Sequence, residues 1–460
     1  MQKKISACTT VLVGKKASID GSTMIARNED GYGQPNPQKF IVVLPTDQPR
    51  HFKSKANGVQ IELPANPLRY TLTPDVNPDY GIWGGSGINS ANVAMTACET
   101  ITTNPTVLAI DPFVPTGIGE ADLLSLVLPY SQTAEAAVKR LGALLTEYGT
   151  YEPNGIAFAD QDEVWYLETI GGHHWAAIKI PDDAYVIAPN RFNITNFDFN
   201  STDTRCSADL AEVIERHHLN PDRHQVNLRH IFGSATEKDR YYNNPRAWYI
   251  QKMYSQTPQG QPTDHDLPFI CYAKKQLSAM DVKWMLSAHF QNTPYDPYGQ
   301  GSQTEQTQYR PIGLNRNEEV HILQIRNDVP AQYAARHWLA YGPNPFNGVV
   351  PFYANVTTTP AIYQQTTTEF SVNNMYWLNR VIAVLGDLNY DRYQELVTNY
   401  EADLWATCQQ QQIQFEKQLT RTHCTPQQLT AFNETLAQLA WQKNNQLLGK
   451  MVVLGMTANH

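Results

Sequence analysis

Two short β-forming runs, Cys8 to Val13 and Thr23 to Arg27, stand on either side of a polar connection that carries Asp20, Gly21 and Ser22. A turn signal between two strand signals predicts an antiparallel hairpin, and a hairpin brings its outer ends together. Cys8 opens the first strand, while Arg27 and Asp30 stand where the second strand ends and the next loop begins. The three are therefore expected at one end of the hairpin. A guanidinium close to a thiol favours the thiolate, the nucleophilic form. A carboxylate nearby can hold an ammonium group or orient a second donor. No histidine lies within residues 7–30 to act as base.

The totals narrow the partners. A chain of 460 residues is one large domain or two ordinary ones. Its net charge of -9, without a long Lys/Arg run, excludes nucleic acid and anionic membrane as main partners and points to small molecules or peptides. Six cysteines (Cys8, Cys98, Cys206, Cys271, Cys408 and Cys424) are irregularly spaced and lack a C-x-x-C pair, so reduced thiols are expected rather than a disulfide framework or a zinc site. Met1 to Ala7 carries Lys3 and Lys4 but no apolar signal core, and no run approaches the roughly 18 apolar residues of a membrane span. A cytoplasmic location is expected, and residues 1–7 become a short propeptide candidate.

Further along, Phe40 to Leu44 and Val59 to Leu63 read as strands, and a glycine-rich stretch, Gly84 to Gly87, leads to Val93 to Glu99. Helical spacing marks Glu120 to Leu128 and Ala134 to Tyr148, the latter with Ala137, Leu141, Leu144, Leu145 and Tyr148 on one face. Gly155 to Ala159, Val164 to Glu168, Trp175 to Ile180 and Ala184 to Ile187 read as an antiparallel meander, which Asn190 closes. Ser207 to His217 and Ser278 to Phe290 are predicted helices, with Val320 to Arg326 and Val349 to Tyr353 completing the sheets. Residues 372–460 form a mostly helical region, in which Thr425 to Gln428 is a capping-box start with proline at the first helical position. Blocks of antiparallel strands and blocks of helices, without β-α-β alternation, indicate an α+β fold.

The Cys8 strand, its turn and the run Arg27 to Asp30 resemble the cysteine N-terminal-nucleophile hydrolases, a group that includes penicillin V acylase and the bile salt hydrolases. Within it, Ala7 to Thr10, Asp20 to Arg27, Gly172 to Ala177 and Ala188 to Phe192 are similar to the dipeptidase A family, which has the secernins as relatives. The resemblance implies a four-layer αββα sandwich over residues 8–371, with the helical region 372–460 packed on it. It also supplies the missing base: if residues 1–7 are removed by autoproteolysis, Cys8 gains a free α-amine with an ordinary pKa of about 7.7 to 8.0, able to take the thiol proton. The implied catalytic set is Cys8, Arg27, Asp30, Asn190 as oxyanion donor and Arg246, with Arg240 as the competitor for the last. Glu99 is a further candidate, for a substrate ammonium. On the residues alone each has an ordinary reading too: a buried cysteine, a turn asparagine, a surface arginine, a solvated strand-end carboxylate.

The implied activity is hydrolysis of dipeptides through a thioester acyl-enzyme, without metal or organic cofactor, in a homo-oligomer. Two rivals stand beside it: acylase chemistry on penicillin V or conjugated bile salts, and a secernin-like protein acting through partners. Paired histidines, His173-His174 and His217-His218, lack a metal-ligand spacing and are expected to be structural.

Overall fold

The computed structural model describes residues 8–31, 33–258, 260–419 and 424–457; the expected propeptide, residues 1–7, lies outside the described residues. In chain order the strands are β1 (Thr9–Val13), β2 (Thr23–Asp30), β3 (Ile41–Val43), β4 (His51–Lys53), β5 (Gln60–Glu62), β6 (Tyr70–Leu72), β7 (Ser86–Ile88) and β8 (Ala94–Thr100). There follow β9 (Asn154–Ala159), β10 (Val164–Thr169), β11 (Trp175–Ile180), β12 (Tyr185–Ala188), β13 (Thr204–Cys206), β14 (Asn317–Ile325), β15 (Ala335–Tyr341) and β16 (Val350–Tyr353). Twelve of them build two six-stranded sheets, ordered β12-β1-β2-β14-β15-β16 and β13-β11-β10-β9-β8-β7. Every strand pair is antiparallel, and with the helices this gives the mixed α and β composition that the sequence predicts.

The hairpin forms for local reasons. Gly21 adopts φ +73°, which a side chain would resist, and the Asp20 carboxylate accepts the Ser22 backbone N–H at 3.2 Å and its hydroxyl at 2.5 Å. Alternation then sorts the strand residues. Leu12, Ile25, Val186 and Leu323 pack against Ile88, Ala157 and Tyr166 of the second sheet. Val11, Val13, Met24 and Ala26 pack on the other face with Trp248 and Ile250 of helix Asn244–Tyr254 and with Val282 and Leu286 of helix Ala279–Ser287. The outer face of the second sheet is covered by helices Leu123–Val127 and Ala134–Tyr148 through Leu124, Leu141 and Leu145. At about 1.5–3 kcal/mol for each fully buried aliphatic side chain, these layers hold the sheets face to face.

Three expectations are corrected. β12 leaves the meander: it pairs with β1 in the first sheet, Thr10 opposite Ala188, and β13 takes the place beside β11. The strands at 41–43 and 60–62 exist but form separate two-stranded pairs, β3 with β6 and β4 with β5. A strand that the reading omitted, β15, sits between β14 and β16; buried Arg336 and His337 break its apolar pattern. In the tail, Thr425 Oγ1 accepts the Gln428 N–H at 3.3 Å and Gln428 Oε1 accepts the Thr425 N–H at 2.9 Å, the predicted box at the start of helix Pro426–Thr457. Among the described residues, no helix is long and apolar enough to cross a membrane.

Candidate active site

Strand parity decides which side chains meet at the open end of the hairpin. Leu12 and Ile25 face the second sheet, so a period of two turns Thr10, Cys8, Arg27 and Glu29 into the layer between the sheets and Asn28 and Asp30 to the helix-covered face. Arg27 and Asp30 therefore point to opposite sides of β2.

Arg27 is the centre of the inter-sheet side. Its Nη1 donates to Cys8 Sγ at 3.0 Å, its Nε to Thr96 Oγ1 at 3.0 Å, and its Nη2 to the Gly85 and Ala97 carbonyls at 3.1 and 2.9 Å and to a Glu29 carboxylate oxygen at 3.1 Å. Burial pulls the guanidinium pKa down, but the charges of Cys8, Glu29, Glu120 and Glu319 outweigh it and the net shift is upward, so the group stays cationic. A fixed cation at this distance favours the thiolate. The glycine run explains itself here: a Cβ on Gly85 would lie 2.2 Å from the Glu29 carboxylate and 2.5 Å from Arg27 Nη2.

A second row backs the first. The register sets His321 opposite Arg27. His321 Nε2 meets Thr96 Oγ1 at 2.7 Å and its Nδ1 meets Glu319 Oε1 at 2.6 Å. Burial, then the Arg27 charge, holds His321 far below the usual imidazole range, so the ring is neutral. Burial pushes the Glu319 carboxyl up to about 8 against the opposing pull of Arg27. These residues escaped the sequence reading; the signal available was the alternation of Glu319 and His321 with apolar Val320 and Ile322.

On the helix-covered face Arg246 gathers three segments. Its Nη1 donates to the Cys8 carbonyl at 2.5 Å and to Thr9 Oγ1 at 2.7 Å, and its Nη2 to Asn190 Oδ1 at 2.8 Å and Asn243 Oδ1 at 2.7 Å. Asn190 thus spends its amide oxygen on Arg246, and its buried Nδ2 has no acceptor among the described residues. Asp30 accepts from Arg310 and Asn317. Burial pushes its carboxyl up, against the pull of Arg310, Asn317 and Arg246. The Tyr242 ring lies between Arg246 and Arg310, at 5.2 and 5.1 Å from the two guanidinium carbons. Arg310, Asn317 and Asn243 were also missed; only the Asn243-Asn244-Pro245-Arg246 run hinted at one of them.

Of the predicted residues, Cys8, Arg27, Asn190 and Arg246 are linked through direct hydrogen bonds and Asp30 adjoins them on the Arg246 face. Arg240 pairs instead with Glu237 at the surface, 3.0 Å away. Glu99 pairs its backbone with Gly155 in β8, and its side chain lies outside the described residues. His173 and His174 turn together toward Asp111, at 3.4 and 2.7 Å, and anchor the turn before β11. Among the described residues, no group of three or more His, Cys, Asp or Glu side chains is placed to hold a metal.

Comparison with known proteins adds a family to this geometry. The profile of peptidase family C69 matches residues 7–403. The chain is 53% identical to a probable dipeptidase B of Lactococcus lactis subsp. lactis over 98% of its own length and 96% of the relative's. It is 52% identical to dipeptidase A of Lactobacillus helveticus, over 98% and 97% of the two chains. A dipeptidase of Bifidobacterium longum is 47% identical over 86% of this chain and 80% of its own.

Proposed function

Because this chain belongs to peptidase family C69, we propose that it is a cysteine-dependent dipeptidase of the N-terminal-nucleophile type, its two sheets and their helical covers forming the αββα sandwich of that class. Removal of residues 1–7 leaves Cys8 as the first residue. Its own α-amine, with an ordinary pKa of about 7.7 to 8.0, takes the thiol proton, and the thiolate attacks the scissile carbonyl carbon of a small peptide. Arg27 holds the sulfur in its anionic form. The carbonyl π pair moves to oxygen, and the two Asn190 amide protons receive that oxyanion. Collapse breaks the C–N bond, the amine of the departing residue takes the proton, and a thioester remains; water, giving one proton to the α-amine, then attacks the thioester carbon, the C–S bond breaks to release the carboxylic acid, and that proton passes to the sulfur.

Arg246 keeps Cys8 and Asn190 in register by holding the backbone carbonyl of one and the side-chain oxygen of the other. Asp30, on the same face, is the carboxylate that holds the Cys8 ammonium form between proton transfers. The observation that carries this reading is the Arg27–Cys8 sulfur contact at 3.0 Å within a buried guanidinium shell.

Intact-mass measurement of the purified protein, paired with dipeptide hydrolysis, tests it. A mature chain starting at Cys8 with full activity is expected, together with loss of activity in Cys8→Ala. Parental turnover in Cys8→Ala would sink the mechanism.

A further inference from the structure

Glu29 has no part in the chemistry just described, yet it stands opposite the sulfur. β1 and β2 pair Thr9 with Asn28 and Thr10 with Arg27, so the next step of the register sets Cys8 against Glu29. Direct cross-strand neighbours have Cβ atoms about 4.5–5.5 Å apart. Both side chains face the inter-sheet layer by parity, and the Arg27 guanidinium touches both. Within this layer Cys8, Arg27, Thr96, Glu319 and His321 are buried, whereas the Glu29 side chain is 12% exposed. The solvent side of the reactive end is therefore carboxylate.

The charge there is unbalanced. Glu319 is the register partner of Glu29 on β14, and like charges directly opposite each other repel. Two more carboxylates crowd Glu29: Asp75 is pushed up to about 7 by burial and then by Glu29, and Glu29 is pushed up to about 7 by burial, by Glu319 and by Glu318, against the pull of Arg27. Glu319 makes its one close hydrogen bond through Oε1, to His321 Nδ1 at 2.6 Å. Arg27 is the cation that Glu29 and Glu319 share, and it is already committed to the sulfur and to two backbone carbonyls. A further cation arriving beside Glu29 relieves the imbalance.

A dipeptide brings one. Its α-nitrogen lies two bonds from the scissile carbonyl carbon, about 2.5 Å away. A substrate whose carbonyl carbon meets Cys8 Sγ thus carries its ammonium within reach of the cross-strand carboxylate. We propose that Glu29 receives the free α-ammonium of the substrate, and so restricts the site to peptides with an unblocked N-terminus. The assignment rests on the dipeptidase reading above and names the residue that separates a dipeptidase from an N-acyl amidase in the same scaffold.

The test compares kcat/KM for a free dipeptide and for its N-acetyl form in the wild type, Glu29→Gln and Glu29→Asp, with iodoacetamide alkylation of Cys8 as a separate readout of the Arg27–sulfur contact. Glutamine keeps an acceptor for Arg27 and removes the charge. The expected result is a fall of about 100-fold in the free-to-acetyl ratio for Glu29→Gln, mainly through KM, with partial recovery in Glu29→Asp and alkylation within about twofold of wild type. Equal losses on both substrates, tracking slower alkylation, would mean that Glu29 acts through Arg27 alone; the assignment then fails while the dipeptidase reading stands. A wild-type enzyme that cleaves the N-acetyl form as readily as the free dipeptide overturns the assignment and shifts the reading to acylase chemistry.

Discussion

Asn190 shows how much a single residue carries and how little of it is written locally. Its position after a β-strand fits an ordinary turn equally well, and the family resemblance alone favoured a catalytic role. What distinguishes it in the fold is the division of its amide: the oxygen is committed to Arg246 and the nitrogen is left without an acceptor among the described residues. Buried amide donors are normally satisfied, and an unpaired one, linked through Arg246 to the Cys8 carbonyl, is what the proposed oxyanion role requires. Asn190→Ala should lower kcat by roughly 10² to 10³ with little change in KM or in the circular dichroism spectrum. Steady-state kinetics checks this, and a loss confined to KM would place Asn190 in substrate binding instead. Cys8 and Arg27 were legible because the hairpin brings them together by sequence proximity. Thr96, His321 and Glu319 were not, since their contact with Arg27 spans 69 residues or more and comes into being only when β8 and β14 reach the hairpin.

At the scale of elements, the strand that misled the sequence reading is also the one that builds the site. The residue pattern of 184–187 signals a buried strand but does not say which sheet receives it. By pairing with β1, β12 delivers the 189–194 loop to the Cys8 end of the hairpin. Glu168, at the end of β10 in the other sheet, pins that loop: its carboxylate accepts the Asn193 and Ile194 backbone N–H groups at 2.5 and 3.2 Å. Burial pushes the Glu168 carboxyl up to about 7, despite those amides and the Arg229 charge. A carboxyl that binds its proton more tightly folded than unfolded gives its full stabilisation below the unfolded pKa, 4.5, and loses it as pH rises through the folded value. The stability difference between wild type and Glu168→Gln should therefore fall by up to about 3 kcal/mol from about pH 4.5 to about pH 7, measured by urea unfolding across that range. A difference that stays flat with pH would show that Glu168 is not the titrating group.

For the whole molecule, helical periodicity in the last eighty or so residues was plain from the sequence, but its docking surface was not, because the face it covers belongs to other strands. Helices Met375–Leu388, Tyr390–Gln418 and Pro426–Thr457 bury Leu378, Ile382, Leu404, Leu436 and Leu447 against Leu339, Tyr341, Val350 and Phe352 of β15 and β16. Glu416 reinforces the junction, accepting Arg326 at 2.8 Å, Arg336 at 3.0 Å and the Tyr353 hydroxyl at 2.5 Å. The reactive end itself straddles the two sheets, since Arg27 of one donates to the Thr96 side chain and the Ala97 carbonyl of the other. The height of the Arg27 guanidinium over the sulfur is consequently set by the gap between two slabs. Ile325, in the inter-sheet core four residues along β14 from His321, touches none of the reactive groups by register. Ile325→Ala, at about 2–5 kcal/mol of destabilisation, should still let the slabs settle and slow Cys8 alkylation near pH 7, followed by peptide mass mapping. The thiol would then register, from about 20 Å along the sheet, the loss of three carbons from the filling that keeps its cation at the right height.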